Sequence, residues 1–600
     1  MPESGAAARD LLSLVLDAAD RHGDAPALTG PPPRRGAFRG AGTAFRGTRQ
    51  DGAGGASGRA GTAFRGTRQD ERGTSGGIRR AFRGTRKDGC EGTSRGTGTA
   101  FRGTRPAEVT EPHAATEPAG VTLTYAQLGD RIRAVAARLT AAGFAPGQRM
   151  LFSVRPSPDS VVLALGVVAA GGTVVFVDPG VGPALFAART ELAAPGWAAA
   201  ESVLYAAGRR PLRALARRRG VLLPDYARLP VRHVRAGRWL PGVPRNAVPL
   251  RSLLRPVPRR SVASDPGQDA VVVFTAGTTA APKAVVHTRG SLGAALDVLS
   301  TRCALGPGTR VHTDQFLLGL PALVGGGHWS MPPYGLAPAA RPDELARGLD
   351  GATHTFLVPA DLAAVLDAVE RGQVALPASL RQVLLGAAPV LPPLLRRAGA
   401  ALPGVEFLAV YGMTEILPVA VATAAEKLAH PGPGDLVGTP LPGVRARVDG
   451  DGRLVVGGAN LGHYLGEEPA DEHTTGDLAT LTDDGAIVLG GRATDMIIRG
   501  RTNIYPGLHE PAIAALPGVA RAVLVGVPDA IGDDRVVLAV VAAALEPPGL
   551  ADRVRAALPQ VVDASALPDE IVLVDDMPVA GRTRKTDRAA LRDRLARARR

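Results

Sequence analysis

The chain is 600 residues long, 45% hydrophobic and 21% charged, a size and balance that fit a soluble globular protein of two or more domains. Its two cysteines, Cys90 and Cys303, lie far apart without CxxC spacing, which excludes a disulfide framework, argues against a cysteine zinc site and makes a reducing cytoplasm the expected compartment. The formal net charge of +14 is uneven: Pro31 to Arg105 carries 17 Lys and Arg against 5 Asp and Glu, leaving 53 against 51 elsewhere, so the globular part is nearly neutral.

In chain order, the first segment sets acidic Glu3 and Asp10 around Leu11, Leu12, Val15 and Leu16. It lacks a basic stretch and a cleavage site, and it predicts a short amphipathic element and no secretion signal. Next comes an internal repeat, FRGTRQD at Phe45 and Phe64, FRGTRKD at Phe82 and FRGTR at Phe101, spaced 19, 18 and 19 residues apart. Each unit has one large apolar residue, too little buried area to offset the entropy of ordering it. Residues 31–110 are therefore expected to be a disordered low-complexity insertion. Arg and Phe interleaved with Gly also resemble single-strand nucleic-acid binders, in which cations follow phosphates and rings stack on bases. A tolerated, solvated passenger loop is the favoured reading; nucleic-acid binding is the alternative, and nucleic acid is not expected as a partner except through residues 31–110.

After the repeat, TLTYAQLGDRIRAVAARLTAAG predicts a strand end and an amphipathic helix, followed by the strand RMLFSV. Val161 to Val177 is apolar except for Thr173, yet Gly171 and Gly172 divide it, which predicts a buried helix and a strand rather than a membrane span. From Asp269 the alternation resumes with VVVFTAG, a helix from about Ser291, HTFLVP, a helix over Asp361 to Glu370, QVLLGAAP and EFLAVYGMTE. Such alternation predicts a parallel α/β sheet. Beyond Arg492 the style changes to MIIRGRTNIYP, a short helix, AVLVGVPD, VVLAVVAA, a helix near Leu550 to Leu558 and EIVLVDDMP, which predicts a small α+β domain.

The segment VVVFTAGTTAAPKAVVHT runs a hydrophobic strand, Val271 to Phe274, into a turn rich in hydroxyls and small residues that ends at Pro282 and Lys283. Such a turn can aim backbone N–H groups, Thr hydroxyls and a lysine at phosphate oxygens, although GxxxxGK[ST] does not fit it. Here the chain resembles the adenylate-forming (AMP-binding) superfamily of acyl-CoA synthetases, peptide-synthetase adenylation domains and luciferases, whose loop reads roughly [YF]TSGTTGxPKG. Phe274, Thr275, Gly277, Thr278, Thr279, Pro282 and Lys283 match, while Ala276, Ala280 and Ala284 replace a serine and two glycines.

The resemblance continues in order toward the C-terminus. LLGAAPVLP implies that Gly386, Ala387, Ala388 and Pro389 flank the adenine of ATP. VYGMTE implies that Tyr411, followed by Gly412, stacks on that ring, that Thr414 bonds a phosphate, and that Glu415 holds Mg2+ through a hard carboxylate oxygen. TTGDL implies ribose binding by Asp477, and a hairpin turn is expected at Asp483, Asp484 and Gly485. GRATD places Arg492 near ribose and phosphate and puts the hinge at Thr494, where the family has Asp or Lys. Gly500 matches the glycine that lets the thiol-tunnel loop approach the site, and Glu510 falls at the family's EIE glutamate. DDMPVAGRTRKTDRAALRDRL resembles PxTxxGKxxRxxL with Arg584 in place of the glycine, which makes Lys585 the implied catalytic lysine, with Arg582 and Arg584 as competing donors.

The fold this implies is α/β, with a large N-terminal multi-sheet domain over residues 1–30 and 111–492 and a smaller mobile C-terminal α+β domain over residues 493–600. The activity it implies is attack of a substrate carboxylate on MgATP to give acyl-AMP and pyrophosphate, with Thr275, Glu415 and Lys585 in catalysis, followed by transfer to the thiol of CoA or a carrier-protein pantetheine. HTDQFLLGLPALVGGGHWSMPP is apolar where many acyl-CoA synthetases have a histidine, which predicts an apolar, fatty-acid-like acid; Asp314 as an anchor for an amino group is the alternative. Two further readings stay open. VVFVDPGVGPALFAART also resembles olefin-pathway β-lactone synthetases, which close a β-hydroxy acid without a thiol. The three alanines of the phosphate loop also suit a decayed enzyme that acts as a scaffold or nucleic-acid binder through its basic arm.

Overall fold

The computed structural model describes residues 10–31 and 120–598, apart from 179, 181–182, 210–222, 277–281, 431–433, 493–495, 501, 505, 515, 530–532, 544–548 and 581–584. The chain divides between residues 1–48 with 118–600 and residues 49–117, and every described residue falls in the first of these. The repeat, its expected disorder and its nucleic-acid reading lie outside the described residues.

Among the described residues, two eight-stranded sheets form the bulk of the N-terminal part. In the first, Pro26–Thr29, His328–Ser330, Arg310–His312, His354–Leu357, Gln382–Leu385 and Glu406–Tyr411 lie parallel in that order. Antiparallel strands close its two edges, Thr122–Thr124 beside Pro26–Thr29 and Ala420–Thr423 beside Glu406–Tyr411. In the second, Asp269–Ala276, Thr173–Phe176, Arg149–Ser153, Trp197–Glu201, Arg232–Ala236 and Val248–Pro249 are parallel, and Pro282–Thr288 and His463–Tyr464 continue it antiparallel. Parallel strands buried on both faces read as continuous apolar runs, which is why VVVF and TVVF were legible as strands.

The apolar run from Val161 is the helix Pro158–Ala169 followed by the strand Thr173–Phe176. Ser157 caps the helix reciprocally with Ser160, and Pro158 occupies its first turn, where a missing N–H costs nothing. No described helix is long and apolar enough to cross a membrane.

A third sheet of five antiparallel strands is built from Asp435–Gly438, Val444–Val448, Arg453–Gly458, His473–Leu481 and Ile487–Arg492. The expected hairpin is there, its turn closed by hydrogen bonds between Thr482 and Ala486. From Ile497 onward the strands pair only with one another among the described residues. Val519–Pro528 lies antiparallel to Asp534–Ala542, Glu570–Leu573 is parallel to the latter, and the helices Pro506–Ala514, Leu550–Val561 and Arg588–Arg597 accompany them. The result is mixed α/β, with a large N-terminal multi-sheet domain and a smaller C-terminal domain.

The amphipathic stretch at the N-terminus is a full helix, Leu11–His22, with Leu11, Leu12, Val15 and Leu16 buried. Asp10 caps it by accepting from the Leu12 and Ser13 amides. The same carboxylate, fully buried, takes two hydrogen bonds from Arg289, at 3.1 and 2.8 Å. Arg289 begins the helix Arg289–Arg302 that follows the phosphate hairpin, so the N-terminal helix is fastened to the element that supports the candidate site.

Candidate active site

The phosphate segment is an antiparallel hairpin. Its first strand, Asp269–Ala276, runs two residues beyond the predicted apolar stretch, and Thr275 pairs with Lys283 on the returning strand Pro282–Thr288. Gly277, Thr278, Thr279 and Ala280 lie outside the described residues. Ala284, Val285, Val286 and His287 are buried, while Lys283 is exposed at the mouth of the hairpin. Arg189, from the helix Pro183–Ala193, stacks on Phe274 at 5.2 Å from the ring centroid.

In the first sheet Gln382–Leu385 and Glu406–Tyr411 are parallel neighbours, so Gly386 to Pro389 and Tyr411 to Glu415 leave the same edge. Ala387 has a φ of +65°, a left-handed conformation that costs a residue with a β-carbon about 1–2 kcal/mol. Such strain is kept where surrounding structure requires it. Beyond Tyr411 the chain folds on itself. Met413 and Ile416 exchange backbone hydrogen bonds of 2.9 and 3.1 Å, and the Val419 amide returns to the Tyr411 carbonyl at 2.8 Å. Gly412 is needed there, because a β-carbon would come within 3.0 Å of the Ile416 carbonyl and closer still to Leu417.

Three sheets meet through the side chains of this segment. Tyr411 donates its hydroxyl to Asp477 Oδ2 at 2.7 Å; Asp477 lies on His473–Leu481 of the third sheet and is buried. Tyr464, on the edge of the second sheet, donates its hydroxyl to Glu415 Oε1 at 2.9 Å. The Lys283 ammonium stands 4.7 Å from the centroid of the same tyrosine ring. His287 donates from Nε2 to the Thr414 carbonyl at 2.7 Å, and the His473 ring packs edge-on to Tyr464 at 6.2 Å.

Burial depresses the pKa of both histidines. For His287 the Thr414 carbonyl and Glu415 pull the other way. For His473 the Glu415 carboxylate raises the pKa and Lys283 lowers it again. Both rings are accordingly uncharged at neutral pH.

Of the predicted residues, the structure thus brings together Thr275, Lys283, Tyr411, Thr414, Glu415 and Asp477. An aromatic ring, a buried carboxylate, a lysine and a second carboxylate are the groups that a base, a ribose diol, a phosphate and a divalent cation respectively require. Among the described residues no group of three or more His, Cys, Asp and Glu could hold a metal by itself. A lone carboxylate fits Mg2+, which is commonly bound through one or two carboxylates together with substrate phosphates.

The C-terminal candidates keep their own contacts. Gly500 turns the hairpin of Ile497–Arg499 and Thr502–Ile504 with a φ of +57°, and its amide donates to Asp533 at 2.6 Å. Glu510 takes two hydrogen bonds from Arg588, at 2.7 and 2.6 Å. The Lys585 backbone pairs with Ala580 in a two-stranded ribbon. The Lys585 and Arg492 side chains, and Thr494 entirely, lie outside the described residues. Asp314 accepts from Gln315 at 2.8 Å, just ahead of the apolar helix Phe316–Gly325.

Tyr464, His287 and His473 were not singled out from sequence. A signal existed for Tyr464, which is the one tyrosine between YGMTE and TTGDL. Nothing comparable marks the histidines, whose neighbours come from remote strands.

The AMP-binding enzyme family matches residues 104–464, and the AMP-binding enzyme C-terminal domain matches residues 509–585. Over 525 residues the chain is 29% identical to a fatty acid–[acyl-carrier-protein] ligase, ScoC, of Streptomyces coeruleorubidus, covering 80% of this chain and 94% of that one. It is also 29% identical over 522 residues to a salicylyl-CoA synthase / salicylate adenylyltransferase of a Streptomyces species, covering 78% and 89%. Among solved structures, the amide bond synthetase McbA from Marinactinospora thermotolerans is similar with a TM-score of 0.65 and 25% identity, over 79% of this chain and 95% of that one. On this fold, this ordered set of motifs and these matches, the chain belongs to the AMP-binding enzyme family and is an adenylate-forming acid ligase.

Proposed function

We propose that the chain activates an apolar carboxylic acid with MgATP and passes the acyl group to the thiol of CoA or of a carrier-protein pantetheine. A carboxylate oxygen forms a bond to the α-phosphorus, and the bond from that phosphorus to the leaving oxygen breaks, releasing pyrophosphate. The thiol sulfur then replaces AMP at the acyl carbon. The observation that carries this reading is the convergence of Lys283, Glu415, Tyr411 and Asp477 from three sheets through two tyrosine hydroxyls and the face of one tyrosine ring.

In this reading Tyr411 and Gly386 to Pro389 take the adenine, Asp477 and Arg492 the ribose, and Thr275, Gly277, Thr278, Thr279, Lys283 and Thr414 the phosphates. Glu415 would hold Mg2+, which when bound neutralises charge on the phosphate oxygens. Lys585 would be carried in by the C-terminal domain, residues 493–600, turning about Thr494. An apolar acid is favoured by the helix Phe316–Gly325, whose Phe316 packs between Phe176 and Trp329, and by similarity to a fatty acid ligase.

Transfer to an amine is a second reading, favoured by the structural similarity to an amide bond synthetase. The test is acid-dependent exchange of pyrophosphate into ATP across fatty, β-hydroxy, aryl and amino acids, followed by product mass with CoA, with an amine and with neither. Exchange greatest for fatty acids and a CoA thioester product are expected. A β-lactone from a β-hydroxy acid without any thiol would replace the thiol step, and no exchange with any acid would overturn the reading.

A further inference from the structure

We propose that Tyr464 is a positioning residue of the ATP site, its hydroxyl holding Glu415 and its ring face holding Lys283. The inference rests on the adenylation reading and adds a residue to it. Tyr464 belongs to a short segment stitched between the two elements that carry those residues. On one side, His463 and Tyr464 pair with Val286 and Val285 of the lysine-bearing strand, and the Leu465 amide donates to the Ala284 carbonyl at 2.8 Å. On the other, the Gly462 amide donates to the Glu415 carbonyl at 2.8 Å, and Leu461 bridges Ile416.

The side chain repeats that bridge. Its hydroxyl takes Glu415 Oε1 at 2.9 Å, leaving a two-oxygen carboxylate with Oε2 to offer a cation. Its ring presents its negative face to the Lys283 ammonium at 4.7 Å, within the range of a cation–π contact. A carboxylate and an ammonium are thereby placed by one rigid side chain with only two side-chain torsions. A tyrosine that merely filled space would need neither polar contact. His473 packs edge-on to the ring, with centroids 6.2 Å apart.

The experiment measures ATP binding by calorimetry in the full-length protein, without any acid, in EDTA and at graded Mg2+, for the wild type, Tyr464→Phe and Tyr464→Leu. The phenylalanine keeps the ring for Lys283 and loses the hydroxyl. It is expected to match the wild type in EDTA and to lose about tenfold of the Mg2+ enhancement, the scale of a hydrogen bond to a charged group. The leucine loses both contacts and is expected to weaken ATP in EDTA as well, by a few-fold. Full Mg2+ enhancement in Tyr464→Phe overturns the proposal. Equal weakening of both variants in EDTA and in Mg2+, together with lowered melting temperatures, also overturns it in favour of a packing role. A wild type that binds no ATP under any condition overturns the adenylation reading, and this inference with it.

Discussion

Tyr411 and Asp477, on two different sheets, are joined by a hydrogen bond of 2.7 Å from the phenol to the buried carboxylate. The bond fixes the position of Asp477, whose amide is itself held by Thr475 Oγ1 at 3.1 Å. If this carboxylate receives the ribose hydroxyls, Asp477→Ala weakens ATP by about 10- to 100-fold, the worth of one or two hydrogen bonds to a charged group. The same substitution should change the affinity for a ribose-deoxygenated ATP far less. Calorimetry with both nucleotides checks this, and equal losses would remove Asp477 from the ribose.

The Asp10–Arg289 pair predicts acid sensitivity. Burial alone would raise the pKa of Asp10, but hydrogen bonds from Ser264, Arg289 and Ser13 outweigh it and hold the pKa at about 2. A depressed carboxylate pKa stabilises the fold above the unfolded-state pKa, near 4, and that contribution is lost as pH falls from about 4 to about 2. Arg289→Met leaves a buried charge without its cation and should cost about 3–5 kcal/mol. Denaturant titrations of the two proteins at neutral pH read this difference. An unchanged midpoint would mean that Ser264 and Ser13 suffice.

Lys585 is the proposed cation for the transition state, where negative charge builds between carboxylate and α-phosphate. Lys585→Ala should lower pyrophosphate exchange by about 10²- to 10³-fold, equivalent to about 2.7–4 kcal/mol of barrier, while ATP binding stays nearly intact. An exchange rate equal to that of the wild type would shift the role to Arg582 or Arg584.

The described backbone on the two sides of residues 32–119 is adjacent. Pro26–Thr29 and Thr122–Thr124 are antiparallel, and the Gly30 amide donates to the Val121 carbonyl at 3.0 Å. Replacing residues 32–119 by a short Asn-Gly turn should therefore leave pyrophosphate exchange unchanged, since loop closure changes by only about 0.6 kcal/mol for each doubling of a flexible loop. Salt-sensitive binding of single-stranded RNA that disappears with this deletion would assign the repeat a role of its own.

Much of the fold was legible because its signals are local. Buried parallel strands such as Val271–Phe274 read as apolar runs, and GAAP and YGMTE mark the ends of two of them, whereas TTGDL lies inside an antiparallel strand. The same locality named Tyr411, Glu415 and Asp477 as candidates by motif alone. What sequence did not supply is the set of contacts between motifs. Tyr464 meets Glu415 across 49 positions and His287 meets Thr414 across 127, and no periodicity encodes a meeting between two sheets. The length of the N-terminal helix was underread for the same reason, since its burial depends on the helices Arg289–Arg302 and Phe316–Gly325 far along the chain.

The separation of Asp10 from Arg289 is 279 positions. A ribosome adding about 5–20 residues per second needs roughly 15 to 55 s to cover it. The helix Leu11–His22 therefore emerges with a carboxylate whose buried partner has not been made, and the Asp10–Arg289 pair can close only after both strands of the phosphate hairpin exist. Closure of this buried pair is thus timed by synthesis of the segment that the proposed chemistry uses.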